Sequence, residues 1–80
     1  MARILIVDDE PSILRVLETC LRQHQHHVTC RGTAAEGIDA CRSRTFDLFL
    51  FDLRLGEGMD GIGLMQECRL LQPDVPAIMI

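Results

Sequence analysis

The sequence predicts an α/β fold in which helices cover one open parallel sheet, in the element order βαβαβαβ. Three short, wholly apolar runs lie at residues 4–7, 48–51 and 77–80 of the 80-residue chain. Such runs, without polar alternation, are typical of parallel strands that are buried on both faces. The segments between them carry apolar residues at three- and four-residue spacing, which indicates amphipathic helices. Right-handed crossovers between parallel strands then give a doubly wound sheet.

A fourth strand and the first helix complete the N-terminal half. The strand is expected at residues 27–31, and because it is more polar than the others we place it at an edge of the sheet. The first helix should begin near Pro11, whose fixed φ suits a first turn. It should end near His24, where Gln25 or His26 takes the left-handed cap because no glycine follows. Its buried stripe is predicted to be Ile13, Leu14, Leu17, Cys20 and Leu21.

The second and third helices are predicted from their end signals. Thr33 followed three residues later by Glu36 is a capping-box pattern. The third helix begins near Asp60, and Pro73 and Pro76 stop it before the last strand. The inward residues are predicted to be Ala34, Ala35, Ile38 and Cys41 in the second helix, and Leu64, Met65, Cys68 and Leu71 in the third.

The charge and composition of the chain exclude several classes of function. Eight basic residues, all of them Arg, stand against 12 acidic ones, which gives a net charge of −4. An acidic chain without a basic run is a poor nucleic-acid surface. No apolar run approaches the roughly 18 residues that cross a membrane, and the N-terminus lacks the apolar length of a signal peptide. We therefore expect one domain over residues 1–80, in the cytoplasm, without direct nucleic-acid or membrane contact.

The cysteines and histidines give weaker signals. Cys20, Cys30, Cys41 and Cys68 form no CxxC pair, so we expect them to be small buried residues of a reducing compartment. Cys20 and His24 have helical i, i+4 spacing, and with His26 and His27 nearby they offer transition-metal ligands. A solvated helix end explains these histidines more simply, because cations favour the C-terminus of a helix.

Acidic residues follow two predicted strands, at the points where ligands bind in such a fold. Asp8, Asp9 and Glu10 follow the first strand, and Asp52 follows the third. Any one of these acids alone is more often a turn or cap residue. If the two strands are neighbours, however, the acids meet beyond the carboxyl ends of the strands, where clustered carboxylates need a cation such as Mg²⁺. The cluster predicts phosphoryl transfer, with Asp52 as the nucleophile beside Mg²⁺.

Four motifs run through the chain in order: ILIVDDE at 4–10, FDLFLFD at 46–52, MDG at 59–61 and PDVPAIMI at 73–80. Together they resemble the receiver domains of two-component response regulators. The resemblance implies a flavodoxin-like doubly wound parallel sheet with strand order 2-1-3-4-5. Against the family pattern, we expect this chain to be the N-terminal part of a receiver domain, truncated after its fourth strand and lacking the fifth strand and the last two helices.

The resemblance also implies roles for individual residues. Asp52 would accept a phosphoryl group from a histidine kinase and become an aspartyl phosphate. Asp8, Asp9 and the Asp52 side chain would bind Mg²⁺, together with the backbone carbonyl of Arg54. The protein would then be a phosphoprotein of a two-component phosphorelay, not an enzyme, and an output domain of unknown type would follow in the parent protein.

The chain departs from the receiver pattern at several points. Gly56 stands where the family usually has Pro, and the loop at 56–58 is one residue longer. The Ser or Thr and the Lys that complete the family's phosphate site are missing. These absences favour an alternative function, a receiver-like module that only docks to partners. An unpaired apolar strand at 77–80 also predicts a dimer or higher assembly.

Two other phosphate-related interpretations are weaker. Residues 56–61 read GEGMDG, a literal G-x-G-x-x-G, but the first Gly follows the strand too late and nearby acids would repel a pyrophosphate. A haloacid-dehalogenase-type phosphatase would need a second Asp two residues after Asp52, where this chain has Arg54.

Overall fold

The computed structural model describes residues 1–56 and 58–80, and these ranges contain the predicted elements in the predicted order. The strands are β1 (Arg3–Val7), β2 (His27–Arg31), β3 (Leu48–Phe51) and β4 (Ala77–Met79). The helices are α1 (Pro11–Gln23), α2 (Ala34–Ser43) and α3 (Gly61–Leu71). None of the helices in these ranges has the length and apolar character that a membrane span requires.

The four strands form one parallel sheet in the order β2-β1-β3-β4. β2 lies at an edge, as its polarity predicted. β1 and β3 are neighbours, with Val7 opposite Phe51 in the register, so the ends of these two strands lie side by side. The pairing of β3 with β4 continues to Ile80, whose backbone N–H donates to the Phe51 carbonyl at 3.0 Å.

Each face of the sheet has its own core, because successive side chains of a strand point to opposite faces. On one face, Leu5, Phe49 and Phe51 are almost completely buried beneath α2 and α3. On the other face, Ile4 and Ile6 pack against α1. The wholly apolar runs at 4–7 in β1 and 48–51 in β3 are therefore explained by burial on both sides.

The buried stripe of α1 is narrower than predicted. Leu14, Leu17 and Leu21 pack on the sheet, but no residue of this helix is fully buried. Ile13 is 39% exposed and Cys20 is also exposed. The three leucines lie at positions i, i+3 and i+7 and form one line of contact. Ile13 and Cys20, seven residues apart, both lie on one side of this line.

The predicted inward faces of α2 and α3 are correct in part. Ala35 and Leu71, expected inside, are exposed. Gly37 instead lies against the sheet, where a Cβ would come within 2.8 Å of Val7 Cγ2. The missing side chain at Gly37 therefore permits close packing of α2 on β1. The fully buried residues of the two helices are Gly37, Ala40, Cys41, Gly61, Leu64 and Cys68.

The helix ends confirm the predicted caps. Gln25 adopts a left-handed conformation with φ of 65° after α1. The Thr33 hydroxyl accepts a hydrogen bond from the Glu36 backbone N–H at 3.2 Å and lies 2.9 Å from the Glu36 carboxylate. The Asp60 carboxylate likewise accepts from the Gly63 N–H at 2.8 Å and begins α3. Local sequence signals thus determine where these helices start and stop.

The expectation of four buried cysteines is half correct. Cys41 and Cys68 are buried, whereas Cys20 is exposed and Cys30 is half-buried. Cys20 lies beside the contact line of α1, and Cys30 lies on the more polar edge strand β2. All four thiols are free.

Candidate metal centre

The sheet brings the predicted acidic residues together. Because Val7 and Phe51 are register partners, the residues that follow them, Asp8 and Asp52, emerge side by side at the carboxyl ends of β1 and β3. The Asp52 N–H donates to the Val7 carbonyl at 2.9 Å, which continues the pairing of the two strands. One carboxylate oxygen from each of Asp8, Asp9 and Asp52 lies within 4.8 Å of the others. This geometry could hold a metal ion.

Asp8 is the least accessible member of the cluster. Asp8 is only 4% exposed, and it is the one buried charged residue in the described ranges. Burial raises the pKa of Asp8, and the negative charges of Asp52 and Asp9 raise it further, against the lowering effect of a hydrogen bond from the Glu10 backbone N–H. That hydrogen bond measures 2.9 Å. The surroundings of Asp8 therefore disfavour its charged form when no cation is bound.

The described part of the chain supplies no basic side chain to the cluster. The ion pairs found there join Arg3 to Asp47, Arg22 to Glu18 and Arg42 to Asp39, all with exposed or half-exposed side chains away from the cluster. Three carboxylate oxygens without a nearby cation are the donor set of a hard divalent ion. The residues present therefore fit the Mg²⁺ that the sequence predicted.

The backbone after β3 folds around Asp52. The Arg54 N–H donates to Asp52 Oδ1 at 3.1 Å, an Asx-type turn that fixes the orientation of the Asp52 carboxylate. Asp52 itself is half-buried, and Arg54 is exposed. The Asp52 side chain is thus accessible from solvent while its rotamer is held by the local backbone.

Glycines leave room beside the acids. Gly56 has a φ of 61°, a conformation that Pro cannot adopt, so the Pro that the family usually has would not fit this backbone. A Cβ at Gly56 would lie 3.3 Å from Asp9 Oδ2. At Gly61 a Cβ would overlap the backbone carbonyl of Asp52. The sequence indicates Gly61 only as a helix start, because close approach between distant segments leaves no local signal.

The alternative transition-metal site at Cys20, His24, His26 and His27 does not form among the described residues. His24 Nδ1 lies 3.0 Å from the Cys20 carbonyl, and His26 Nδ1 accepts a hydrogen bond from the Ala2 N–H at 3.0 Å, so these rings have separate roles. Among the described side chains, the acids Asp8, Asp9 and Asp52 are the group placed to hold a metal. Glu57, part of the glycine-rich run, lies outside the described residues.

The chain is similar to known proteins in both sequence and structure. The transcriptional regulatory protein ZraR of Escherichia coli O157:H7 is 35% identical over 77 residues, which cover 96% of this chain and 17% of that protein. A CheY-like receiver domain protein from Methanospirillum hungatei superposes with a TM-score of 0.93 at 35% identity, covering 99% of this chain and 62% of that one. TrrA of Thermotoga maritima, a response regulator, superposes with a TM-score of 0.90 at 29% identity, covering 99% of this chain and 68% of that one.

These likenesses extend along nearly the whole chain, although the chain spans less than a fifth of the length of ZraR. The superpositions confirm the flavodoxin-like fold, with four parallel strands and three helices in the described ranges. Residues 4–80 match the family model of the response regulator receiver domain. The chain belongs to the receiver domain family of two-component response regulators.

Proposed function

We propose that this protein transmits a signal by accepting a phosphoryl group on Asp52 from a histidine kinase. The observation that supports this most strongly is the convergence of Asp8, Asp9 and Asp52 at the carboxyl ends of β1 and β3. Asp52 is the suitable nucleophile because it is half-buried and accessible, whereas Asp8 is almost completely enclosed. Membership of the receiver family supports the same class of reaction.

We propose that Mg²⁺ binds to the carboxylates of Asp8, Asp9 and Asp52 and to the backbone carbonyl of Arg54. The chemistry of the donor set supports it, and TrrA is known as a complex with Mg²⁺ and BeF. When bound, the ion would offset the negative charge of the cluster and of an incoming phosphoryl group. The site residues of this chain then have distinct roles in the reaction.

Asp52 forms the new bond. One of its carboxylate oxygens attacks phosphorus, the bond between phosphorus and the donor breaks, and the donor leaves with the bonding electron pair. The hydrogen bond from the Arg54 N–H keeps one Asp52 oxygen occupied, so the other is presented to the donor. Gly56 places no side chain beside Asp9 Oδ2, and Gly61 places none against the backbone carbonyl of Asp52.

The partners follow from this role. We propose a histidine kinase as the donor and an output domain in the parent protein, because relatives such as ZraR are much longer transcriptional regulators. The protein is then a phosphoryl acceptor in the cytoplasm and not an enzyme. Neither nucleic acid nor membrane contact is assigned to residues 1–80, whose net charge is −4.

A non-catalytic docking module is the second candidate function. Ile78 and Ile80, at the β4 edge of the described sheet, are 48% and 52% exposed and offer an apolar surface for a dimer or higher assembly. Weaker than millimolar Mg²⁺ binding would favour this candidate, and a monomeric mass in light scattering at high concentration would contradict the assembly.

The phosphoryl acceptor is tested with a small acyl phosphate, with and without Mg²⁺. We expect the wild-type protein to incorporate phosphate only with Mg²⁺, and an Asp52→Asn variant to incorporate none. Asp47→Asn is the matched control, because Asp47 lies on the opposite, N-terminal side of β3. Phosphate incorporation by Asp52→Asn at the wild-type level would refute the assignment.

A further inference from the structure

Two buried thiols meet between α2 and α3. Cys41 Sγ and Cys68 Sγ lie 3.2 Å apart, although the residues are 27 positions apart in the sequence. The exposed fractions of the two residues are 5% and 0%. Cys20 and Cys30 lie elsewhere, on α1 and β2. The close pair therefore has a geometry that the other thiols do not share.

Gln72 links the backbone segments that carry the two cysteines. Its side-chain Nε2 donates to the Cys41 carbonyl at 3.0 Å and to the Arg44 carbonyl at 2.7 Å. Its own backbone N–H donates to the Cys68 carbonyl at 2.8 Å. Both cysteines are thus tied to one residue. A disulfide needs a sulfur separation of about 2.05 Å, so the two sulfurs must approach each other by roughly 1 Å.

One member of the pair can be reached by a small molecule. An open cleft of about 700 Å³ lies at the C-terminal end of α2, and Cys41, Arg44, Phe46 and Gln72 are among its lining residues. Cys68 does not line it. The hydrogen bond with Cys68 lowers the pKa of Cys41 against the opposing effect of burial, and the same contact raises the pKa of Cys68. Cys41 is therefore the thiol that a reagent in the cleft meets first.

We propose that Cys41 and Cys68 form an oxidation site at which hydrogen peroxide joins α2 to α3 through a disulfide. The Cys41 sulfur attacks one peroxide oxygen, the O–O bond breaks, and the other oxygen takes the Cys41 thiol proton and leaves as water, giving a sulfenic acid. The Cys68 sulfur then attacks Cys41 Sγ, the S–O bond breaks, and hydroxide takes the Cys68 proton and leaves as a second water. Two thiols lose two electrons and two protons, and one peroxide becomes two waters.

The cross-link can be mapped directly, because trypsin cleaves after Arg and places each cysteine on a separate peptide. Cys41 lies in peptide 32–42 and Cys68 in peptide 55–69. After peroxide treatment of the folded protein, a digest without reductant should contain these two peptides joined and lighter by two hydrogen atoms. Dithiothreitol should release them. Oxidation confined to Cys20 or Cys30, sulfinic acid at Cys41 without a cross-link, or no oxidation at all would each overturn the proposal.

A thermal measurement separates a native cross-link from one made in unfolded chains. Closing the loop between positions 41 and 68 restricts the unfolded state, so Tm should rise by about 10–20 °C on oxidation. A Cys20→Ser/Cys30→Ser variant should show the same rise, and a Cys41→Ser variant should show none. A Tm that stays constant or falls when the 32–42 and 55–69 peptides are joined would contradict a disulfide compatible with the native packing.

Discussion

Removing one charge from the acidic cluster should stabilise the fold when no divalent ion is present. Asp8→Asn replaces a carboxylate in a residue that is 4% exposed by a neutral side chain of the same shape. The Asn oxygen can still accept the hydrogen bond from the Glu10 N–H. The variant therefore removes the repulsion from Asp9 and Asp52 without removing the local turn.

The size of this effect follows from the separation of the charges. At 4.8 Å, the outer limit of the cluster, one pair of like charges costs about 0.9 kcal/mol in a water-like dielectric and about 3.5 kcal/mol at an effective dielectric of 20. The repulsion between Asp8 and the exposed Asp9 lies near the lower figure. The repulsion between Asp8 and Asp52 is larger, because Asp52 is half-buried. We expect Asp8→Asn to raise the free energy of unfolding by about 2 kcal/mol in metal-free buffer.

Urea unfolding with and without Mg²⁺ measures both parts of this expectation. The wild-type protein should gain about 2.7 kcal/mol when Mg²⁺ is a hundredfold above its Kd, and Asp8→Asn should gain much less because a ligand is lost. Asp74→Asn, an exposed acid in the turn before β4, is the matched control and should respond to Mg²⁺ like the wild type. An Asp8→Asn protein that is less stable than the wild type without metal would refute the reasoning.

Three further predictions concern the fold, and each is checked by urea unfolding. Gly37→Ala should lower stability by about 1–2 kcal/mol, because the strain of a Cβ 2.8 Å from Val7 Cγ2 outweighs the gain in helix propensity; a stabilised variant would contradict this close packing. Leu64→Ala, at a residue that is 0% exposed, should cost about 2–5 kcal/mol, whereas Leu70→Ala, at a residue that is 79% exposed, should change stability by less than about 0.5 kcal/mol. Hydrogen bonds from Arg3 lower the pKa of Asp47 in the folded protein. The Asp47 carboxylate therefore stabilises the fold fully at pH values above 3.8, its pKa in the unfolded chain. This stabilisation disappears as the pH falls through the lower pKa of the folded protein. Asp47→Asn should therefore be less stable than the wild type at pH 7 and equal to it in strong acid.

Most of the fold could be predicted because its signals are local. The apolar runs of β1 and β3 require burial on both faces, and the caps at Thr33 and Asp60 use side chains within three residues of the groups they bind. The stripe of α1 was predicted too wide, because periodicity shows which residues are apolar but not how much of the helix the sheet contacts. The positions of Ile13 and Cys20 beside that contact depend on packing between elements.

The candidate site was predictable for a different reason. Adjacent parallel strands end at the same edge, so Asp8 and Asp52 had to meet once β1 and β3 were neighbours. The role of Gly61 against the Asp52 carbonyl and the contact of Cys41 with Cys68 were not predictable. Both join segments that are distant in the sequence, and neither a lone glycine nor an isolated cysteine identifies its partner.

The most direct test of the central claim is to locate the phosphoryl group in the wild-type protein. After treatment with a small acyl phosphate and Mg²⁺, borohydride reduces an aspartyl phosphate to homoserine, and tryptic peptide 45–54 carries both Asp47 and Asp52. We expect homoserine at position 52 alone, and none when Mg²⁺ is withheld. Homoserine at Asp47, at Asp8 or Asp9, or at no position with Mg²⁺ present would contradict it.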